Sequence, residues 1–123
     1  MTKPRTITLP KLAKGERYVG LMLDEKGKPS HHLVLLPGQA NDVTWKAAGA
    51  WAKKQGGTLP TRKEQALLFA NAGSEFEARA YWSAEQYAGN DCYAWCQGFT
   101  YGNQDANLKN YSLRARAVRK VAV

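Results

Sequence analysis

The chain of 123 residues has few cysteines and no long apolar run. Two cysteines, Cys92 and Cys96, are too few for a disulfide scaffold, and on one strand they would lie about 13 Å apart, beyond bridging distance. No stretch approaches the ~20 apolar residues of a membrane-spanning helix, and the basic start lacks the apolar segment of a secretory signal. We therefore expect two unbridged, packed thiols in a cytoplasmic protein that does not enter a membrane.

Motifs of catalysis and metal binding are also missing. There is no glycine-rich phosphate loop, nucleophile elbow or H-E-x-x-H sequence. The adjacent His31 and His32 would point to opposite faces of a strand, and the C-x3-C pair lacks the second pair of a zinc site. Glu75 and Glu77 could pair on one face of a strand, but their polar surroundings favour a solvated connection. We predict no enzymatic activity, no metal and no cofactor.

Acidic residues are absent from the end of the chain, where residues 109–123 carry five basic side chains. Residues 1–17 also carry five basic side chains, against Glu16 alone, whereas residues 18–108 have 8 basic and 9 acidic residues. The candidate basic patch at the two ends consists of Arg5, Lys11, Lys14, Arg114, Arg116, Arg119 and Lys120. If the ends meet, this patch favours an alternative function in nucleic-acid binding or in modulating host defence.

Apolar runs separated by turns indicate strands in both halves of the chain. Residues 18–23 and 33–36 flank a charged turn, which is typical of a β-hairpin. Further strands are predicted at residues 80–84, 92–102 and 111–123. In the last of these, Leu113 and Ala115 alternate with Arg114, so one face is apolar and the other cationic.

Two helices are predicted between the hairpin and the later strands. Alanines around Trp51 recur at helical spacing after two candidate caps, Asp42 and Thr44. Thr61 and Glu64 form a T-x-x-E capping box that starts the second helix. Glycines follow both helices, at Gly56, Gly57 and Gly73. The order of hairpin, helices and strands predicts an α+β fold, without βαβ alternation.

Five short motifs occur in order along the chain. They are TW at 44–45, LPTRKE at 59–64, YWSA at 81–84, AWCQGFTYG at 94–102 and RARAVR at 114–119. In order and spacing, this set resembles the C-terminal domain of a bacterial collagen-like adhesin, a family of unknown function found in bacteria and phages. The resemblance implies a C-type-lectin-like fold, in which the N- and C-terminal strands pair and two helices flank a small, mostly antiparallel sheet with long loops. We expect one such domain over residues 1–123, with residues 1–15 as a flexible or strand-forming arm.

The resemblance also divides the aromatic segment 81–102 between core and surface. Trp82 and Trp95 would be core anchors, each able to bury about 150–250 Å². The remaining loops carry tyrosine, amide and carboxylate side chains, which suit adaptable recognition but are also ordinary turn formers. The candidate ligand-binding residues, around 85–91 and 101–109, are Gln86, Tyr87, Asn90, Asp91, Tyr101, Asn103, Gln104, Asp105 and Asn107.

Calcium-dependent C-type lectins use an E-P-N or Q-P-D tripeptide followed by W-N-D. Here no proline follows Pro60, and the loop carboxylates fall short of the roughly six to eight oxygens that calcium takes. We therefore predict a calcium-independent binding module from a phage or prophage, with a protein, or a glycan, as its ligand. Association with a virion and formation of an oligomer stay open.

Overall fold

The structure, a computed structural model, describes residues 7–123 and has an α+β architecture. Its helices and strands are β1 (Arg17–Leu23), β2 (Pro29–Leu35), β3 (Ala40–Val43), α1 (Trp45–Lys54), α2 (Arg62–Ala72), β4 (Ala80–Gln86), β5 (Tyr93–Gly98), β6 (Gln104–Leu108), β7 (Leu113–Ala115) and β8 (Val118–Ala122). A 3-10 turn over Gly73–Glu75 follows α2. Residues 7–16 form neither helix nor strand, so the described part of the predicted arm adds no strand. Arg5 lies outside the described residues.

Both helices start at predicted caps. Thr44 Oγ1 accepts a hydrogen bond from the Ala47 amide at 3.4 Å, so Thr44 rather than Asp42 caps α1. At α2, the Glu64 amide donates to Thr61 Oγ1 (3.2 Å) and the Thr61 amide donates to Glu64 Oε1 (2.9 Å). These two bonds confirm the capping box. The caps satisfy backbone donors that have no partner inside the helices.

The strands of the described chain form two sheets. One has three antiparallel strands in the order β1-β2-β8, and the other has five strands in the order β3-β7-β4-β5-β6. Every pairing is antiparallel except that of β4 with β7. The prediction of an α+β fold with two helices and mostly antiparallel strands is confirmed.

Among the described residues, the first strand, β1, and the last, β8, do not pair with each other, which differs from the predicted arrangement. β2 lies between them, with Leu33 opposite Gly20 of β1 and Lys120 of β8. Leu33, Val34 and Leu35 are all buried, so both faces of β2 are covered, as is usual for a central strand. β1 and β8 therefore belong to the same sheet but are separated by β2.

The predicted final strand is divided into β7 and β8, which belong to different sheets. Arg116 and Ala117 lie between them, and Arg116 is only 8% exposed. Its Nη1 donates to the Glu75 carbonyl (2.6 Å), and its Nη2 donates to the Leu36 carbonyl (3.0 Å). The guanidinium carbon lies 5.3 Å from the centre of the Phe76 ring. Burial lowers the pKa of Arg116. The chain thus changes sheet at a buried cation.

The core consists of two clusters, one for each helix. In the first, α1 packs on the five-stranded sheet around Trp82, which is fully buried and donates from Nε1 to the Val43 carbonyl at 2.8 Å. The second joins α2 and β4 to the three-stranded sheet. Its members are Val19, Leu33, Leu35, Leu68, Ala72, Tyr81, Phe99 and Val118. The prediction that Trp82 anchors the core is confirmed.

Trp95 is half-buried rather than a core anchor, which corrects the prediction for this residue. Its neighbours Ala94 and Cys96 face the core, and successive side chains of a strand point to opposite faces. The Arg62 guanidinium covers the indole at 3.5 Å from the ring centre, and Tyr87 packs against it edge-on at 5.4 Å between centroids. Trp95 therefore lies on the face of β5 opposite the α1 core cluster, under Arg62 at the start of α2.

The buried bonds of Arg116 predict a large effect of a conservative substitution. A lysine cannot donate from a planar fork to both carbonyls, so Arg116→Lys should lower the free energy of unfolding by roughly 2–3 kcal/mol. Arg114→Lys is the matched control, because Arg114 bonds Glu77 and Asn41 near the surface. This substitution should lower the free energy of unfolding by less than about 1 kcal/mol. Urea denaturation followed by tryptophan fluorescence measures both variants. An equal decrease in the free energy of unfolding for both variants would contradict the anchoring role of Arg116.

Glu16 predicts a dependence of stability on pH. Its carboxylate accepts bonds from Arg119 at 2.8 and 2.9 Å and from the Ala13 amide at 2.8 Å, and these bonds lower the pKa of Glu16. A carboxyl group with a lowered pKa stabilises the fold above its unfolded pKa of about 4.3, and the stabilisation is lost as pH falls through the folded pKa. Glu16→Gln should lower the thermal midpoint at neutral pH, with an effect that shrinks in acid. A difference from the wild type that stays constant with pH would contradict this.

Candidate functional site

The predicted ligand-binding loops lie at opposite ends of the five-stranded sheet. β5 pairs with β6 so that Tyr93 is opposite Leu108 and Gln97 is opposite Gln104. Because antiparallel strands reverse at each turn, the β4–β5 loop and the β6–β7 connection leave one end, and the β5–β6 turn leaves the other. The two predicted groups of loop residues therefore do not form one continuous surface.

The β4–β5 loop is partly held by its own hydrogen bonds. Gln86 Oε1 accepts a bond from Lys109 Nζ at 2.6 Å. Asn90 Oδ1 accepts from the Cys92 amide at 2.9 Å, which is the role of a turn former. Asp91 accepts a longer contact of 3.8 Å from Cys92 Sγ. Gln86 connects this loop to Lys109 at the end of β6.

At the opposite end, the β5–β6 turn carries Tyr101, which is 85% exposed. Asn103 Nδ2 donates to Asp105 Oδ2 at 2.7 Å. Gly102 has a φ of +79°, and a Cβ there would lie 2.8 Å from the Phe69 ring. The turn is thus packed against α2, with Tyr101 projecting from it.

Two of the predicted binding residues on β6 have bonds inside the fold. Gln104 Nε2 donates to Gln97 Oε1 and to the Arg62 carbonyl, both at 2.8 Å, while Gln104 Oε1 accepts from Arg62 Nε at 3.0 Å. Asn107 Nδ2 donates to Cys96 Sγ at 3.0 Å. These bonds position α2 and β5 against β6, and they occupy the side chains that a ligand would need.

The basic residues at the end of the chain have partners within the fold. Arg114 pairs with Glu77 at 2.9 Å, Arg119 with Glu16 at 2.8 Å, and Lys120 Nζ lies 3.7 Å from Glu64. The Arg116 side chain is buried and donates to backbone carbonyls, which corrects its assignment to the candidate basic patch. Lys11 and Lys14 are exposed, and the Lys11 carbonyl accepts a bond from Arg119.

A groove that the sequence reasoning missed runs beside α1. Its volume is about 810 Å³, and its walls are mostly apolar. The lining residues are Trp45, Lys46, Gly49, Ala50, Lys53, Gly57, Thr58, Leu59, Ala84 and Lys109. It opens at the end of the sheet where Gln86 and Lys109 meet. The groove therefore joins one of the two predicted loops.

Small residues and one close backbone contact leave the groove open. Gly49 lies in the interior of α1, and a Cβ at this position would meet no atom within 4 Å. Gly57 lies in the α1–α2 loop, where a Cβ would be 2.3 Å from the Val118 carbonyl oxygen. Thr58 exchanges two backbone bonds of 2.9 Å with Val118. The sequence did contain one signal for the groove. Gly49 lies inside an alanine-rich helix, where a glycine lowers helix stability and therefore suggests another role.

Trp45 forms a fixed wall at one end of the groove. Its Nε1 donates to the Ser83 carbonyl at 2.8 Å, and its amide donates to the Lys109 carbonyl at 3.1 Å. Lys109 Nζ lies 4.7 Å from the centre of the indole, within the range of a cation–π contact. The indole and the ammonium group are thus held together where the groove meets Gln86.

The two cysteines are free, but only one is packed. Cys96 is buried, and burial raises the pKa of its thiol. Cys92 is exposed in the β4–β5 loop. This corrects the expectation of two packed thiols, and the physical reason is that Cys92 precedes β5 and so lies outside the alternation that turns Cys96 inward.

The histidines face opposite sides of β2, as predicted. His31 Nε2 lies 2.7 Å from Glu64 Oε2, whereas His32 Nδ1 lies 2.7 Å from the Tyr18 hydroxyl. Across residues 7–123, no three histidine, cysteine or carboxylate side chains gather as a metal site would require.

Comparison of the chain with family models and with curated proteins gives no match. The resemblance to the collagen-like adhesin domain is therefore an interpretation of the five motifs alone. Among the described residues, no helix is both long and apolar enough to cross a membrane.

The difference between the two thiols can be measured directly. We expect one thiol, that of Cys92, to react with a disulfide reagent in the native protein, because the raised pKa and burial of Cys96 leave little accessible thiolate. Cys92→Ser should abolish the native reaction, and Cys96→Ala should leave it unchanged. Both thiols should react in denaturant. Rapid native reaction of Cys92→Ser would contradict the buried position of Cys96.

Proposed function

We propose that the protein is a non-enzymatic, calcium-independent binding module that takes a protein ligand in the groove beside α1. The observation that carries this proposal is the groove itself, with apolar walls and a fixed Trp45 at one end. Its volume of about 810 Å³ falls within the range of ~300–1,000 Å³ typical of ligand sites. An apolar side chain of a partner would fit over Gly49.

The groove walls supply a hydrophobic centre of the kind found in protein interfaces. Ala50, Leu59 and Ala84 line it, and lysines stand at its margin. Such an apolar centre with a polar rim favours a partner that inserts one side chain and is held by contacts around it. A protein fits better than a glycan, because Lys109 occupies the face of Trp45 on which a sugar ring would stack.

The β4–β5 loop extends the proposed site beyond the groove. Gln86 touches Lys109, which lines the groove, and Tyr87 lies next along the loop. We assign this loop to the binding surface. Tyr101 and Asn103 belong to the opposite end of the sheet, so we leave them out of the site.

We also propose that the fold is C-type-lectin-like, as the five motifs suggest. Two helices flank the sheets, and the first and last strands share a sheet, although β2 lies between them. In such a fold, loops at one end of the sheet would recognise the ligand. The groove lies at the end of the sheet from which the β4–β5 loop leaves, which agrees with this arrangement.

Blocking the groove tests the proposed function. Gly49→Phe places a ring in the open space, and the gain in helix propensity over glycine should keep the fold at least as stable. We expect a specific partner, captured from a bacterial lysate and identified by mass spectrometry, to bind the wild type and to be lost from Gly49→Phe. Circular dichroism should show an unchanged or raised thermal midpoint.

Two variants control for changes in the helix and for added aromatic surface. Gly49→Ala raises helix propensity without filling the groove, and it should keep the partner. Ala70→Phe adds the same ring at an exposed position of α2, and it should also keep the partner. Equal capture by Gly49→Phe and by these controls would contradict binding in the groove.

A further inference from the structure

We infer that the groove binds an acidic segment of its protein partner, an inference that rests on the groove being the binding site. Three lysines stand around the groove, and we call them the groove lysines: Lys46, Lys53 and Lys109. Their arrangement, and the absence of carboxylates between them, identify the charge of the ligand.

The groove lysines lie along the open edge of α1 and at its start. Lys46 and Lys53 are two helical turns apart, about 10 Å along the axis, and both are exposed. Lys109 approaches from the end of β6 and lies over Trp45. Carboxylates spaced along an extended segment could therefore meet successive ammonium groups.

No carboxylate compensates this charge locally. None of the described residues that line the groove is acidic, and Lys46 and Lys53 form no salt bridge with any residue of the described chain. Lys109 donates to the neutral amide of Gln86. A concave surface with one sign of charge and low-dielectric walls concentrates ligands of the opposite sign.

The floor of the groove adds an apolar requirement to the acidic one. Gly49 leaves space for a side chain, and Leu59 and Ala50 provide apolar contacts. The ligand that fits is a segment with acidic residues on both sides of one apolar residue. Its apolar side chain would enter the groove, and its carboxylates would reach the groove lysines.

A nucleic acid fits these observations less well than an acidic protein segment. Phosphate recognition relies on arginine and lysine side chains that are available to the backbone. The arginines whose side chains already donate within the fold are Arg17, Arg62, Arg114, Arg116 and Arg119. Lys109 also covers Trp45, which a base would need for stacking. A random oligonucleotide therefore serves as the competing ligand in the test.

Fluorescence anisotropy with a defined peptide tests the inference. The probe is a short fluorescein-labelled peptide of glutamates around one central leucine, and its reference is the same peptide with glutamines. We expect the wild type to bind the glutamate peptide and not the glutamine peptide, with an affinity that falls as salt screens the charges. The double variant Lys46→Gln/Lys53→Gln should weaken binding by at least about fivefold.

A second double variant controls for net charge. Lys26→Gln/Lys28→Gln removes the same charge from the exposed β1–β2 turn and should leave peptide affinity unchanged. Equal weakening by the two double variants would overturn the inference, since the attraction would then be general. Tighter binding of a random oligonucleotide, with the same dependence on Lys46 and Lys53, would overturn it in favour of a nucleic acid.

The two proposals fail in different ways. If Gly49→Phe abolishes partner capture but the glutamate peptide does not bind, the groove is the site and the acidic ligand is wrong. If the peptide binds with the expected dependence on Lys46 and Lys53, and Gly49→Phe weakens it while Gly49→Ala does not, both proposals are supported. If Gly49→Phe leaves the affinity for the glutamate peptide unchanged, the proposed insertion of an apolar side chain into the groove is wrong.

Discussion

The buried guanidinium of Arg116 joins the two sheets of this protein. A buried cation costs free energy unless its donors are paired, and here Nη1 and Nη2 donate to the carbonyls of Glu75, in the 3-10 turn after α2, and Leu36, after β2. Leu36 directly follows β2, and Glu75 is the last residue of the 3-10 turn after α2. Arg116, directly after β7, thus connects the end of β2 to the end of the 3-10 turn that follows α2. The chain can then leave the five-stranded sheet and continue as β8 in the other sheet.

This change of sheet also shapes the groove. Once β8 starts, Val118 faces the α1–α2 loop and exchanges two backbone bonds with Thr58. The approach is so close that only glycine fits at position 57. The loop is thereby held against β8 on one side of α1, while Gly49 leaves the facing surface of the helix open. The groove therefore follows from the backbone path that Arg116 stabilises, rather than from the long loops alone.

Patterns governed by near neighbours were predictable from the sequence, whereas patterns that depend on distant elements were not. The Thr61–Glu64 capping box and the helix it starts involve residues three apart, and both were found as predicted. Trp95 was misplaced because β5 has large side chains on both faces, and the position of α1 decides which face joins the core around Trp82. Arg116 sits in an alternating pattern that predicts exposure, but the strand ends there. The groove residues come from α1, a loop, β4 and the end of β6, so no local pattern unites them.

The net charge summed over a segment of the sequence is a poor guide to the electrostatic potential at the surface of this protein. These sums place the excess positive charge at the two ends of the sequence. In the fold, however, Arg114, Arg119 and Lys120 each have a carboxylate within 4 Å. Residues 18–108 are nearly neutral in sum, and two of their acids, Glu77 and Glu64, are the partners of Arg114 and Lys120. Within residues 7–123, Lys46 and Lys53 of α1 form no salt bridge with a carboxylate. At physiological salt, charges interact over about 8 Å, so the neighbours in space, and not those in sequence, determine the field that a ligand meets.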